Sequence, residues 1–151
     1  MITRVIIDYD GKQQTRSVDM ASLKEIAASV ADAEAEVLQI LWKESPLTAQ
    51  EIIDGLERAG SSHPKTVKTL INRLLNKGAI KFKEANRKYL YYPVVKKKDF
   101  YGVKTESFLN KFFDGELSPL VSFFSSHKKL TTSEIARIRK LLDEQEAGHD
   151  E

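Results

Sequence analysis

The spacing of apolar side chains changes character several times along the chain, and each change marks an element. From Asp32 the run DAEAEVLQILWKE places Ala33, Val37, Ile40 and Leu41 on one side of a helix otherwise built from good helix formers, and Ser45-Pro46 stops it. Trp42 is expected to pack at the end of that helix as a core aromatic. Thr48 followed by Glu51 makes a capping box, and Ile52, Ile53 and Leu56 supply the buried side of a second helix ending near Ala59-Gly60. The stretch HPKTVKTLINRLLNKG reads as a third helix. Pro64 suits its first turn, where the missing N–H is unsatisfied anyway, and Gly78 suits the residue just past its end. Val67, Leu70, Ile71 and Leu74 form one apolar stripe, while Lys65, Lys68, Thr69, Asn72 and Arg73 lie opposite. After Gly78 the period falls to that of strands: AIKFKE and KYLYYP flank Ala85, Asn86 and Arg87, which read as a hairpin turn. Two helices, a basic helix and a hairpin are the order of a winged helix-turn-helix.

The flanks are less regular. Residues Ile2 to Val18 suggest a small hairpin around Asp10-Gly11, marginal in water unless it packs on something. Asp19 could cap a short helix from Met20 to about Ser29 with Leu23, Ile26 and Ala27 on one side. Beyond Pro93, Lys96-Lys97-Lys98 is open between a backbone-phosphate contact and a solvated run. Asp99 could cap a helix through about Phe113, with Tyr101, Phe108, Leu109, Phe112 and Phe113 on a broad face and Asp114-Gly115 as its end. Leu117, Leu120, Val121 and Phe124 give a second stripe. A third helix opens at Thr131, whose capping box uses Glu134, and carries Ile135, Ile138, Leu141 and Leu142. These three helices hold more large apolar residues than they could bury alone. They either pack back on the winged domain or pair with a second copy. Asp143 to Glu151 contains five acids and no Lys or Arg, the composition of a frayed, solvated tail. The expected fold class is mainly α with a small β-hairpin wing. Its parts are an extension over 1–31, a winged helix domain over 32–95, a helical dimerisation domain over 96–142 and a tail over 143–151.

Charge sharpens this picture. The 151 residues carry a net charge of only +2, yet His63 to Lys88 contains eight Lys or Arg against one acid, Glu84, so the remainder is net acidic. A basic surface confined to one helix and its wing points to phosphate contacts. With 41% hydrophobic and 30% charged residues, wholesale disorder is unexpected. The absence of cysteine excludes disulfides, thiolate metal sites and cysteine nucleophiles. No apolar run approaches the roughly 20 residues that cross a bilayer, and no signal-peptide core is present, so a cytoplasmic location without membrane attachment is expected. His63, His127 and His149 fall in a cap, a linker and a tail without carboxylates at metal or triad spacing, and there is no glycine-rich phosphate loop. No catalytic residue, metal or cofactor is therefore expected.

The segments DAEAEVLQILWKESPLTAQEI, PKTVKTLINRLLNKGAI and RKYLYYPVV closely resemble the penicillinase and methicillin-resistance repressor family, which also includes copper-operon repressors. The resemblance runs from about Asp32 to Leu142. Its strongest pieces are Leu41-Trp42, Pro64-Lys65-Thr66 with Thr69, Arg73-Leu74, Lys77-Gly78 and Ser107-Phe108-Leu109-Asn110. The copper-responsive branch carries a cysteine pair near its C-terminus and this chain has none, so thiolate copper sensing is ruled out and the antibiotic-type branch fits better. His63 and Ala31 stand where the family commonly has serine caps. The extension before Asp32 has no counterpart.

The resemblance implies a winged domain on double-stranded operator DNA and a helical domain that forms a homodimer. Dimerisation also agrees with the two-fold logic of DNA readers, which sets half-sites roughly 34 Å apart or a multiple on a pseudo-palindrome. Tyr101, Phe108, Leu109, Phe112, Leu120, Val121, Phe124, Ile135, Ile138 and Leu142 are then the interface residues. Lys65, Lys68 and Arg73 would meet phosphates or guanine edges; Thr66, Thr69 and Asn72 are short enough to read base edges; Arg87 and Lys88 on the wing would hold the backbone. The resemblance further implies a signalling protease as partner, cutting near Thr105 to Asn110. Ser107, Phe108, Leu109 and Asn110 are the residues concerned, although a bond in a packed helix is protected unless the helix opens. The alternative is a winged module that binds protein and no DNA, since fold alone does not fix function. The salt dependence of DNA binding separates the two.

Overall fold

Local sequence sets the helix ends seen in the computed structural model, which describes residues 2–7, 13–18, 20–61, 64–127 and 129–149. Strands β1 (Ile2–Ile7) and β2 (Gln13–Val18) pair antiparallel, from Ile2 opposite Val18 to Ile7 opposite Gln13. The expected hairpin is therefore present, while its Asp10-Gly11 turn and the Asp19 cap lie outside the described residues. Helices α1 (Met20–Ser29), α2 (Asp32–Lys43) and α3 (Ala49–Arg58) follow. Thr48 caps α3 as expected: its Oγ1 accepts the Glu51 N–H at 3.2 Å, and the Glu51 carboxylate accepts the Thr48 N–H at 2.7 Å. Gly60, at φ 74°, turns the chain off α3.

The third helix of the motif differs from a single uniform helix. Pro64–Thr66 form a 3₁₀ turn, and α4 proper spans Val67–Lys77. Gly78 ends it in the left-handed conformation at φ 77°, where a side chain would be strained. Strands β3 (Ile80–Ala85) and β4 (Lys88–Pro93) pair antiparallel with Ala85 opposite Lys88. The connection is thus two residues, Asn86 and Arg87, at φ 51° and 63°, rather than the three expected. Two successive residues at positive φ give the turn whose twist matches a tight hairpin, and Asn tolerates that conformation. Leu47 adds a bridge to β4, its N–H donating to the Tyr91 carbonyl at 3.0 Å and its carbonyl accepting from Tyr91 at 2.7 Å.

One core holds α1 to α4 and the β3–β4 hairpin. Val37, Leu38 and Leu41 of α2, Ile52 and Leu56 of α3, the four stripe residues of α4, Ile80, Val94 and Val95 are all buried. Gly55 permits α3 to approach α2, because a Cβ there would stand 2.9 Å from Ile40 Cγ2. Leu23, Ala27 and Val30 are buried in the same cluster, so α1 belongs to the winged body. Trp42 packs as expected, its Nε1–H donating to the Val95 carbonyl at 2.9 Å and its ring centroid 5.3 Å from that of Phe100.

Helices α5 (Lys97–Phe112), α6 (Ser118–His127) and α7 (Thr132–His149) complete the chain. The elements divide into two units, residues 1–105 and 106–151, so the first turns of α5 go with the winged body rather than with the helices after it. Buried Phe100 is the reason. Asp99 does not cap α5: the Phe100 N–H already donates to the Lys96 carbonyl at 3.0 Å, which puts Asp99 inside the first turn, where a carboxylate is equally favourable. Asp114 and Gly115, at φ 52° and 78°, end α5 as expected. Thr131 Oγ1 accepts the Glu134 N–H at 3.1 Å at the start of α7. That helix runs on to His149, so most of the expected frayed tail is helical, although exposed; Glu144 to Ala147 are good helix formers.

Candidate nucleic-acid interface

Helix α4 and the turn before it set a buried stripe against an exposed face. Val67, Leu70, Ile71 and Leu74 are each no more than 4% exposed, whereas Lys65, Thr66, Lys68, Thr69, Asn72 and Arg73 are all exposed. Eleven residues rise about 16 Å, enough to lie across a major groove roughly 12 Å wide. The exposed face offers ammonium and guanidinium donors for phosphate or guanine, together with short hydroxyl and amide groups for base edges. Every sequence-predicted reading residue thus emerges on one surface.

The wing adds a second basic strip. Arg87 and Lys88 are exposed at its tip. The register sets Lys83 opposite Leu90 and Lys81 opposite Tyr92, so by the alternation of strands Lys81, Lys83 and Lys88 share one face. The other face is aromatic, with Phe82 4.6 Å from Tyr89 and 6.0 Å from Tyr91, centroid to centroid. Burial pushes the Tyr91 hydroxyl pKa upward, with Tyr89 adding to the shift, so it is neutral at physiological pH. Exposed Lys83 joins the wing residues expected from sequence, and the alternation in IKFKE carries its signal.

One member of the basic stretch faces inward instead. The Lys77 ammonium donates to both oxygens of Glu34, at 3.1 Å to Oε2 with the Oε1 contact shorter, and to the Ser29 carbonyl at 2.7 Å. Glu34 is 2% exposed, and a buried carboxylate needs such a partner. Lys77 therefore ties the end of α4 to α2 and to the end of α1. No sequence signal separated it from the basic residues around it.

In α5 to α7, which follow in sequence, the apolar side chains stay largely open. Phe108, Phe112, Val121, Phe124, Ile135 and Leu142 are exposed, as is Tyr101, while Leu109, Leu120 and Ile138 are half-buried. Among the described residues no group of three or more His, Asp or Glu could hold a metal ion, and no helix is long and apolar enough to cross a membrane. His127 ends α6 with its ring stacked on Phe123 at 4.2 Å, and His63 lies outside the described residues.

Residues 30–144 match the family model described as penicillinase repressor. The chain belongs to the penicillinase repressor family. Its α2–α3–α4–β3–β4 order is that of a winged helix. Its similarity to the penicillinase repressor of Bacillus licheniformis is 35% identity over 115 residues, which cover 76% of this chain and 90% of that protein. Similarity to the methicillin resistance regulatory protein MecI of Staphylococcus aureus is 33% over 114 residues, 76% of this chain and 93% of that one. Among solved structures, the DNA-binding domain of the repressor BlaI is 34% identical, covering 47% of this chain and 87% of its own, with a TM-score of 0.42. The family match leaves out residues 1–29, and so the β1–β2 hairpin and α1.

Proposed function

We propose that the protein is a dimeric, non-enzymatic transcriptional repressor that acts in the cytoplasm on a pseudo-palindromic operator. The observation that carries this reading is the division of α4, whose apolar stripe is buried while Lys68, Thr69, Asn72 and Arg73 are exposed. Thr66, Thr69 and Asn72 read base edges, Asn to adenine and the Thr methyl to thymine. Lys65, Lys68, Arg73, Lys83, Arg87 and Lys88 hold phosphates, with Lys65, Lys68 and Arg73 also able to meet guanine. The open apolar faces of α5 to α7 pair with those of a second copy, the arrangement that two half-sites require.

Release from DNA is proposed to follow a cut by a signalling protease between about Thr105 and Asn110, most directly beside Phe108. Ser107 and Leu109 are half-buried while Phe108 and Asn110 are exposed, but the bonds lie within α5, so local opening of the helix must precede the cut. Cleavage would leave the winged body without the apolar faces that pair. The test is a chain of residues 1–107, examined by sedimentation and by binding to the genomic duplex that the full chain enriches. The expected result is a monomer with sharply weakened binding. A fragment that stays dimeric and binds as tightly as the full chain would contradict both the interface and the release mechanism.

A further inference from the structure

Three helix ends meet on one buried carboxylate. Glu34 lies in the first turn of α2, and its Oε1 accepts the N–H of Ala31, the residue before that helix, at 3.4 Å. Lys77 is the last residue of α4, and Ser29, whose carbonyl takes its third bond, is the last of α1. The three bonds use all three N–H groups of the ammonium. A Cβ built on Gly78 would touch Ile26 Cδ1 at 3.6 Å, so α1 also lies against the cap of the reading helix. A second lysine holds α1 from another side: Lys104 donates to the Val30 carbonyl at 2.6 Å and the Ala28 carbonyl at 3.3 Å. Lysines at the carbonyl end of a helix are favoured by its dipole.

Helix α1 precedes the segment that the family model matches. We propose that α1 is a positioning element for the DNA reader: through Lys77 and Glu34 it fixes the C-terminal end of α4 on α2, and so sharpens sequence discrimination without touching DNA. The proposal rests on the DNA-binding reading given above. Phosphate contacts from flexible lysines survive a small shift of α4, whereas the short side chains Thr66, Thr69 and Asn72 reach base edges only when the helix axis is held. Losing the anchor therefore removes specificity before it removes affinity.

Two variants test this. In Glu34→Gln/Lys77→Met both charges go together, so no buried carboxylate is left unpaired, and Gln retains an acceptor for the Ala31 N–H. The second begins the chain at Val30 and lacks α1 altogether. Each is compared with the full chain by amide hydrogen exchange over Leu74–Gly78, and by binding to the genomic duplex that the full chain enriches and to a scrambled duplex of equal length. The expected result is faster exchange at the end of α4 and a loss of about tenfold or more on the enriched duplex, with the scrambled duplex within about twofold, as for loss of base contacts alone. Lys77→Arg, which keeps the charge, should restore most of the discrimination. Equal losses on both duplexes, or unchanged discrimination in either variant that folds, would overturn the proposal. If the full chain enriches no duplex at all, the DNA-binding reading fails instead, and unchanged exchange at Leu74–Gly78 would then still overturn the anchoring role.

Discussion

Helices α4 and α6 carry the same pattern and meet different fates. Val67, Leu70, Ile71 and Leu74 follow i, i+3, i+4, i+7 spacing and vanish into the core, all at 4% exposure or less. Leu117, Leu120, Val121 and Phe124 follow it too, just before and within α6, yet Leu117 is 56% and Phe124 40% exposed. The pattern alone says that a face must be covered. What covers it depends on whether the same chain supplies the partner: α2, α3 and the wing do so for α4, and α6 has too little around it within its own unit. An unfilled stripe of this kind, together with the exposed Phe108, Phe112, Ile135 and Leu142, is the footing for the proposed second copy.

Removing the open faces should have the largest effect. A chain of residues 1–105 keeps Phe100 and the Lys104 bonds, and should stay folded but monomeric. Its affinity for an enriched duplex should fall by about 10²- to 10⁴-fold, because a lone half-site lacks the effective concentration of a linked partner. Sedimentation and fluorescence anisotropy check this together. Ending the chain at Val95, a natural choice from sequence alone, would strip Phe100 from the core and confuse the two effects.

Core truncation sharpens the contrast next. Leu74→Ala, at a site with 0% exposure, should destabilise the winged unit by about 2–5 kcal/mol in chemical denaturation. Phe124→Ala should leave that unit's unfolding unchanged and weaken association instead. Thr69→Ala or Asn72→Ala should leave unfolding unchanged and weaken binding by about 1–3 kcal/mol on the enriched duplex, with little change on random DNA. Gly78→Ala should lower stability by about 1–2 kcal/mol, because the cap sits at φ 77° and the space around its Cβ is ordinary, so the backbone carries the strain.

Much of this was legible from side-chain periodicity. The α4 stripe, the Thr48–Glu51 and Thr131–Glu134 caps, and the breaks at Gly78 and Asp114-Gly115 are local chemistry, decided within a few residues. The proposed reading face was legible for the same reason, since the positions opposite a buried stripe must be exposed. What stayed hidden was tertiary. Leu38 and Glu34 are buried because other helices close over α2, Lys77 turns inward because Glu34 waits 43 residues away, and Phe100 joins the core through Trp42. The acids of Asp143 to Glu146 suggest a solvated tail by their charge, yet as helix formers they carry α7 on to His149.

The central claim is that the exposed face of α4 meets DNA, and the salt dependence of binding tests it most directly. Affinity of the full chain for duplex DNA should fall steeply as salt rises, by about 0.9 log units per log unit of salt for each phosphate neutralised. Lys68→Ala should lower that slope by close to one contact, weakening binding alike on enriched and random sequences. A slope near zero, or one that Lys68→Ala together with Arg73→Ala leaves unchanged, would contradict the account and favour a winged module that binds protein.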